Sequence, residues 1–144
     1  IVDSTMVQVA VLDPRDEESG IGGRVVSAPA GRAPMLRADT LFADATAVAA
    51  AIGADTSITL ERDRVSAAGR RLDVRGFRAR GGVYVPVRSF SRALGAFTYP
   101  ERDANGVRIY PRPVLEWLLA NRENPDEVAV LRGAREEGLL PPRD

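Results

Sequence analysis

The sequence of 144 residues contains no lysine, no histidine and no cysteine, so all twenty of its basic residues are arginine. Without histidine or cysteine the chain has no Ser-His-Asp triad, no cysteine nucleophile and no zinc or imidazole-copper site of its own. Without lysine it has no Schiff-base residue and no P-loop lysine. Carboxylates, hydroxyls, arginines and the backbone remain for chemistry. This composition predicts a module that is not an enzyme.

The sequence also lacks a long hydrophobic run, since no apolar stretch approaches the roughly 18 residues that a membrane helix needs. Hydrophobic residues make up 44% of the chain and charged residues 28%, which is typical of an ordinary soluble domain. A chain of this length forms one domain, or one domain with a short appendage. We therefore predict a globular module with no membrane span in this chain.

The net charge is zero, but the two signs are unevenly distributed. Residues 24–112 carry fifteen arginines and eight acids, whereas the segments before and after are acidic. The basic excess is concentrated in residues 62–80, with seven arginines and two aspartates. One interpretation is a solvated strand surface. The alternative is contact with nucleic acid or an acidic polymer through Arg70, Arg71, Arg78 and Arg80.

An internal repeat is the most informative pattern in the sequence. Residues 35–54 align with residues 77–96 at a constant offset of 42, without a gap. Each unit predicts a strand, a tight turn at Asp39-Thr40 or Gly81-Gly82, a second strand and a helix of about two turns. A hairpin is predicted to follow each helix, from residues 56–60 with 65–67 and from residues 97–99 with 107–110.

The ends of the two repeated helices have recognisable signals. Asp44 is predicted as the N-cap of the first helix, and Pro86 lies near the first position of the second. Gly53 and Gly95 are predicted to adopt positive φ and to end the helices.

The predicted fold is therefore α+β: a twisted antiparallel sheet from two strand-strand-helix-hairpin repeats, packed on short helices. The repeat units span about 33–68 and 75–110, and a strand over residues 6–12 precedes them within a domain of residues 1–112. Residues 113–144 form a helical extension, with helices predicted at 114–120 and 126–137. Gly133 weakens the second of these predictions, while Gly138 marks its end and Trp117 is predicted to pack onto the sheet.

The second repeat carries a motif that resembles a known family. Residues 82–96 read GVYVPVRSFSRALGA, which is similar to the signature of the copper amine oxidase N-terminal-like domain, a stalk domain of bacterial envelope proteins. The resemblance covers residues 24–111, and its motif positions are Tyr84, Val85, Pro86, Arg88, Leu94 and Gly95. The first repeat departs from the motif at Asp44 and Thr46, and Arg92 stands where the family usually has glutamate.

The resemblance implies an exported module of the cell envelope or extracellular space. It implies a spacer or interaction role, no catalytic centre, no cofactor and no metal of its own, with a protein or cell-wall polymer as partner. Arg88 is interpreted as structural, bonding loop carbonyls through its guanidinium donors.

Three other residue patterns allow different functions. The pairs Glu61/Asp63 and Glu101/Asp103 are the candidates for a carboxylate-based hydrolase. The stretch 103–106 is interpreted as a hairpin turn, with calcium binding as the alternative. A basic and aromatic strip for single-stranded nucleic acid would use four arginines and three aromatic residues: Arg78, Arg80, Arg88, Arg92, Phe77, Tyr84 and Tyr99. Strand alternation disfavours the strip, because Phe77 and Arg78 point to opposite faces.

Overall fold

The computed structural model describes residues 6–12, 21–26, 31–101, 106–121 and 125–141. Within these ranges the chain is a mixed α+β fold with eleven strands and four helices. The strands are β1 (Met6–Leu12), β2 (Ile21–Val25), β3 (Met35–Arg37), β4 (Thr40–Asp44), β5 (Ile58–Glu61), β6 (Arg64–Ala67), β7 (Arg70–Arg75), β8 (Phe77–Ala79), β9 (Gly82–Pro86), β10 (Phe97–Glu101) and β11 (Gly106–Tyr110). The helices are α1 (Ala45–Ile52), α2 (Val87–Ala93), α3 (Arg112–Asn121) and α4 (Pro125–Glu136).

The strands form three sheets rather than the single sheet that the sequence predicts. Sheet A has the order β10-β11-β1-β2, sheet B the order β3-β4-β9-β8, and sheet C the order β5-β6-β7. All strand pairs are antiparallel except β1 with β11, which is parallel. The two predicted hairpins form, but one belongs to sheet C and the other to sheet A.

Sheet A lies between two hydrophobic cores, because side chains of β1 are buried on both of its faces. Val7 and Val9 are buried in the first core, whereas Ala10 is buried in the second. Successive side chains of a strand point to opposite faces, so a strand that is buried on both sides contributes to two cores. The predicted strand over residues 6–12 is confirmed.

The first core joins the three sheets to the two short helices. Its buried members come from sheets A, B and C and from α1 and α2: Val7, Val9, Ala43, Ala45, Val48, Ala49, Val65, Ala67, Leu72, Val74, Val85, Val87, Phe90, Ala96 and Ile109. Val48 and Phe90 have no exposed surface at all. Because α1 and α2 are too short to be stable alone, their stability comes from this packing.

The second core is built where α3 and α4 cover the other face of sheet A. Leu115, Leu118 and Leu131 are fully buried there, and Trp117 is half-buried against them. Both predicted C-terminal helices are confirmed. Gly133 permits the close packing of α4, since a Cβ at this position would lie 2.5 Å from the ring of Phe97. That close approach explains why a glycine stands inside a helix.

Sheet B has hairpin β3-β4 on one side and hairpin β8-β9 on the other, each followed directly by a short helix. The central strands pair with Ala43 opposite Val85. The turns begin one residue earlier than predicted, at Ala38-Asp39 and Arg80-Gly81, and all four of these residues have positive φ. Positive φ at both central positions is the geometry that matches the twist of a two-residue hairpin.

The helix ends follow the sequence signals closely. Gly53 and Gly95 have φ of +85° and +84°, and Gly138 has φ of +77° after α4, so all three predicted stops are confirmed. The amides after each glycine close the turn, as in the hydrogen bond from Ala96 N–H to Ser91 C=O at 2.8 Å. Asp44 occupies the N-cap position of α1, but its side chain makes no capping hydrogen bond.

Gly22 and Gly23 belong to β2, because pairing with β1 outweighs the low strand preference of glycine. The interior of the predicted turn at 103–106 lies outside the described residues.

Candidate functional site

The arginines of residues 62–80 are divided between two sheets, and several are engaged within the molecule. On sheet C, Arg64 forms an ion pair with Asp73 at 3.1 Å, and Arg75 lies 3.7 Å from Asp63. Both pairs are solvent-exposed, so each contributes little to stability but lowers the positive charge of the face. The face of sheet C is therefore partly neutralised.

The four candidate polymer contacts do not form one row. Arg70 and Arg71 lie on β7 of sheet C and are exposed, and their side chains make no hydrogen bond or ion pair among the described residues. Arg78 and Arg80 belong to the β8 hairpin of sheet B and donate to backbone carbonyls, of Leu60 at 3.3 Å and of Ala33 at 3.4 Å. Only the first pair is available to a polyanion without breaking a described contact.

The three aromatic residues of the alternative nucleic-acid strip do not form one exposed surface. Phe77 stacks on Tyr84 with a centroid distance of 5.9 Å and contacts Phe42 at 5.1 Å. Tyr84 is fully buried, and its hydroxyl donates to the carbonyl of Ala33 at 3.0 Å. Tyr99 lies in sheet A beside Phe97 instead. Because Tyr84 is enclosed, the strip lacks one of its three base-stacking surfaces.

The carboxylate pairs proposed for acid-base chemistry are only partly described. Glu61 and Asp63 lie at the β5-β6 hairpin, where Asp63 pairs with Arg75. The side chain of Glu101 and residue Asp103 lie outside what the structure describes. Among the described residues, no group of three acidic side chains is placed to hold a metal ion. The helices described here include none that is both long and apolar enough to cross a membrane.

A groove between α2, α4 and the edge strand β10 has a volume of about 650 Å³. Residues of the β3-β4 turn and the start of β4 also line the groove. Its lining combines an apolar floor with polar and charged groups: Asp39, Thr40, Leu41, Pro86, Val87, Arg88, Ser89, Phe97, Thr98, Tyr99, Pro100, Val107, Gly133, Glu136 and Glu137. A concave, largely apolar surface with a few polar groups is typical of a binding site.

The ion pair of Arg88 with Glu137 crosses this groove from α2 to the end of α4. Both the Nε and the Nη2 of Arg88 lie 2.9 Å from the same oxygen, Oε1 of Glu137. The partner of Arg88 is therefore a carboxylate and not the loop carbonyls that the sequence predicts. The prediction was wrong on the partner because α4 comes from outside the motif.

The second oxygen of Glu137 makes this pair unusual. The Glu137 side chain is 9% exposed, and its Oε2 is buried without a hydrogen-bond donor in the described structure. Buried carboxylate oxygens normally accept hydrogen bonds, and leaving one without a donor is energetically costly. Glu137, which lines the groove, therefore has one buried carboxylate oxygen without a donor among the described residues.

The charges that line the groove stand at helix ends that do not favour them. Arg88 lies in the first turn of α2, at the positive end of the helix dipole. Glu136 and Glu137 lie at the C-terminal end of α4, where the dipole is negative. Each position is unfavourable for the isolated helix. The ion pair across the groove explains the placement of Arg88 and Glu137.

The residues of the sequence motif serve different parts of the fold. Pro86 and Arg88 line the groove, whereas Tyr84 and Val85 are fully buried. Leu94 packs against the first core, and Gly95 ends α2 with positive φ, as Gly53 ends α1. Sequence reasoning missed the acidic residues of the groove: Asp39, Glu136 and Glu137. The signal that points to them is two carboxylates at a helix C-terminus.

Known proteins offer no guide to this arrangement. Comparison with protein-family models, with curated proteins and with solved structures finds no match to this chain. Function therefore has to be inferred from the geometry of the chain itself.

Proposed function

We propose that this chain is a non-catalytic interaction or spacer module that contacts a partner through the groove between α2, α4 and β10. The observation that carries the proposal is the apolar floor of the groove, with its charged groups at the rim. Its one guanidinium is paired with a carboxylate, so these groups suit recognition better than proton transfer.

The proposal includes an origin by internal duplication. The hairpin and helix β3-β4-α1 have counterparts in β8-β9-α2, and each residue of β3 and β4 lies 42 positions before a residue of β8 or β9. Ala43 and Val85, which are equivalent at this offset, face each other at the centre of sheet B. This arrangement supports a repeat limited to the hairpin and helix.

The proposed cellular setting rests on the motif in residues 82–96. The similarity to the stalk domain of bacterial envelope proteins favours export to the envelope or extracellular space. In this setting the chain would hold a protein partner or connect other domains. A spacer needs stability and a defined surface rather than an active site.

A peptide-display experiment tests this function. A random twelve-residue peptide library on phage is selected against the intact chain, and the selected peptides are synthesised and titrated by fluorescence polarisation. We expect saturable binding, with each peptide recovered intact by mass spectrometry. Cleavage or covalent change of the peptides, dependent on Glu61 or Asp63, would instead favour the hydrolase interpretation.

A second function has one observation in its favour. Arg62, Arg70 and Arg71 are exposed, and their side chains have no ionic or hydrogen-bond partner among the described residues. An acidic polymer such as DNA could contact them, and such contacts would be lost steeply with added salt.

A further inference from the structure

We propose that the groove binds a polypeptide segment that presents an arginine or lysine next to an apolar side chain. This inference rests on the proposed function, since it names the partner class of the same groove. Two features of the groove carry it: the apolar floor and the sign of the charge at the rim.

The floor of the groove fits an apolar side chain. Leu41, Val87 and Val107 come from three different elements and meet there beside the rings of Phe97 and Tyr99. Leu36 extends the apolar surface, because it lies opposite Leu41 in the β3-β4 pair and is 56% exposed. A large apolar residue that remains exposed next to a concave apolar surface is typical of an interaction site.

The charge of the rim favours a positively charged residue next to the apolar side chain of the partner segment. The lining includes three carboxylates, of Asp39, Glu136 and Glu137, and one guanidinium, of Arg88. The C-terminal end of α4 adds the negative end of its dipole on the same side. An incoming cation therefore meets complementary charge, whereas an acidic polymer meets charge of its own sign.

The exposed carboxylates of the rim favour a side chain that combines hydrogen-bond donors with positive charge. Asp39 and Glu136 are exposed and line the groove. At neutral pH, the guanidinium of arginine and the ammonium of lysine are the common side-chain groups with both properties. The partner segment is therefore expected to present one of these two residues.

The test uses three capped peptides that differ only at one residue, with the core sequence Gly-Leu-Xaa-Gly-Ser and Xaa as arginine, glutamine or glutamate. Each is titrated into the ¹⁵N-labelled intact chain, and backbone amide shifts are followed by NMR. We expect the arginine peptide to bind most tightly and the glutamate peptide least. The shifts are expected in the amides of Thr40, Ser89, Thr98 and Glu137.

Charge variants make the test specific. Asp39→Asn with Glu136→Gln removes two exposed carboxylates of the rim without touching the Arg88 pair. We expect this variant to bind the arginine peptide about three- to tenfold more weakly, in line with exposed ion pairs. Glu61→Gln with Glu116→Gln removes the same charge outside the groove and is expected to leave the affinity unchanged. Raised salt should weaken the binding of the arginine peptide more than the binding of the glutamine peptide.

Several outcomes would overturn the inference. They are equal affinities for the three peptides, equal loss in both charge variants, shifts confined to sheet C, or no shift at millimolar peptide. Binding in the groove without a preference for arginine would overturn this inference and leave the proposed function standing, whereas binding of the peptide at another face would contradict both. Conversion of a peptide to new products in the same samples would contradict the interaction function itself.

Discussion

At the scale of single residues, the buried carboxylate of Asp44 is the most consequential feature. The Asp44 side chain is 1% exposed, and the nearest cation is Nη1 of Arg32 at 3.6 Å. Arg32 also donates to the carbonyls of Arg80 and Gly81, at 3.2 and 2.9 Å. One side chain therefore holds residues 31–34 over the β8-β9 turn and compensates a buried charge.

Removing Arg32 should therefore cost more than the loss of an ordinary surface arginine. We expect Arg32→Ala to lower the free energy of unfolding by about 2–3 kcal/mol, because it leaves Asp44 buried and uncompensated. In the double variant with Asp44→Asn the loss should be smaller, since the charge is gone as well. Urea denaturation of the four proteins of this double-mutant cycle measures the coupling. Strict additivity would contradict the account of this pair.

Asp55 provides a pH prediction at the same scale. The Ser57 amide donates to Oδ1 of Asp55 at 2.7 Å, and this bond, with a further one from the Ser57 side chain, holds the pKa of Asp55 below its ordinary value. A lowered pKa means that the contribution to stability is present above about pH 4 and is lost as the pH falls through the folded-state value. NMR titration of the carboxyl carbon should show Asp55 titrating at lower pH in the native chain than in Ser57→Ala. An unchanged pKa in that variant would leave the backbone amide as the sole cause.

At the scale of elements, the glycines separate two physical roles. A Cβ added at Gly95 meets no atom within 4 Å, so its only difficulty is the φ of +84°. A Cβ added at Gly133 has ordinary helical backbone but meets the ring of Phe97. The first glycine is needed for conformation and the second for packing.

The two alanine variants should accordingly differ. We expect Gly95→Ala to destabilise by about 1 kcal/mol through positive φ alone. Gly133→Ala should cost about 1–3 kcal/mol, because Phe97 or α4 must move. Thermal unfolding of both variants measures this, and Phe97→Leu in the Gly133→Ala background should recover part of the second loss. No recovery would mean that the ring is not the obstacle.

The elements also show what the sequence can and cannot predict. Strand β1, the strands of the hairpins, the helices and their glycine ends follow from local preferences and from apolar periodicity, and these predictions were confirmed, whereas β7 was not predicted. The division into three sheets was not predictable, because it depends on pairings such as Met6 with Gly106 that join distant parts of the chain. The groove was missed for the same reason: its lining comes from six elements, β4, β9, α2, β10, β11 and α4, and the motif contains only Pro86, Val87, Arg88 and Ser89 of it.

At the scale of the whole molecule, the arginine-rich segment and the groove would bind partners of opposite charge, the first an anionic polymer and the second a cationic peptide segment. Charge reversal of Arg70 and Arg71 tests the first of these surfaces, with reversal of Arg78 and Arg80 as the matched comparison. The groove account predicts that both variants bind the selected peptides as the native chain does. If the arginines are the site, fluorescent single-stranded DNA should bind the native chain with micromolar affinity at low salt. Reversal of Arg70 and Arg71 should then abolish this binding.

The central claim is that the groove between α2, α4 and β10 is the surface through which this chain acts. The most direct measurement is the map of backbone amide shifts produced by the tightest peptide from the unbiased phage library. The account predicts shifts concentrated in β10, in the first turn of α2 and in the last turn of α4. Shifts concentrated instead on the arginines of sheet C, with the groove amides unmoved, would contradict it.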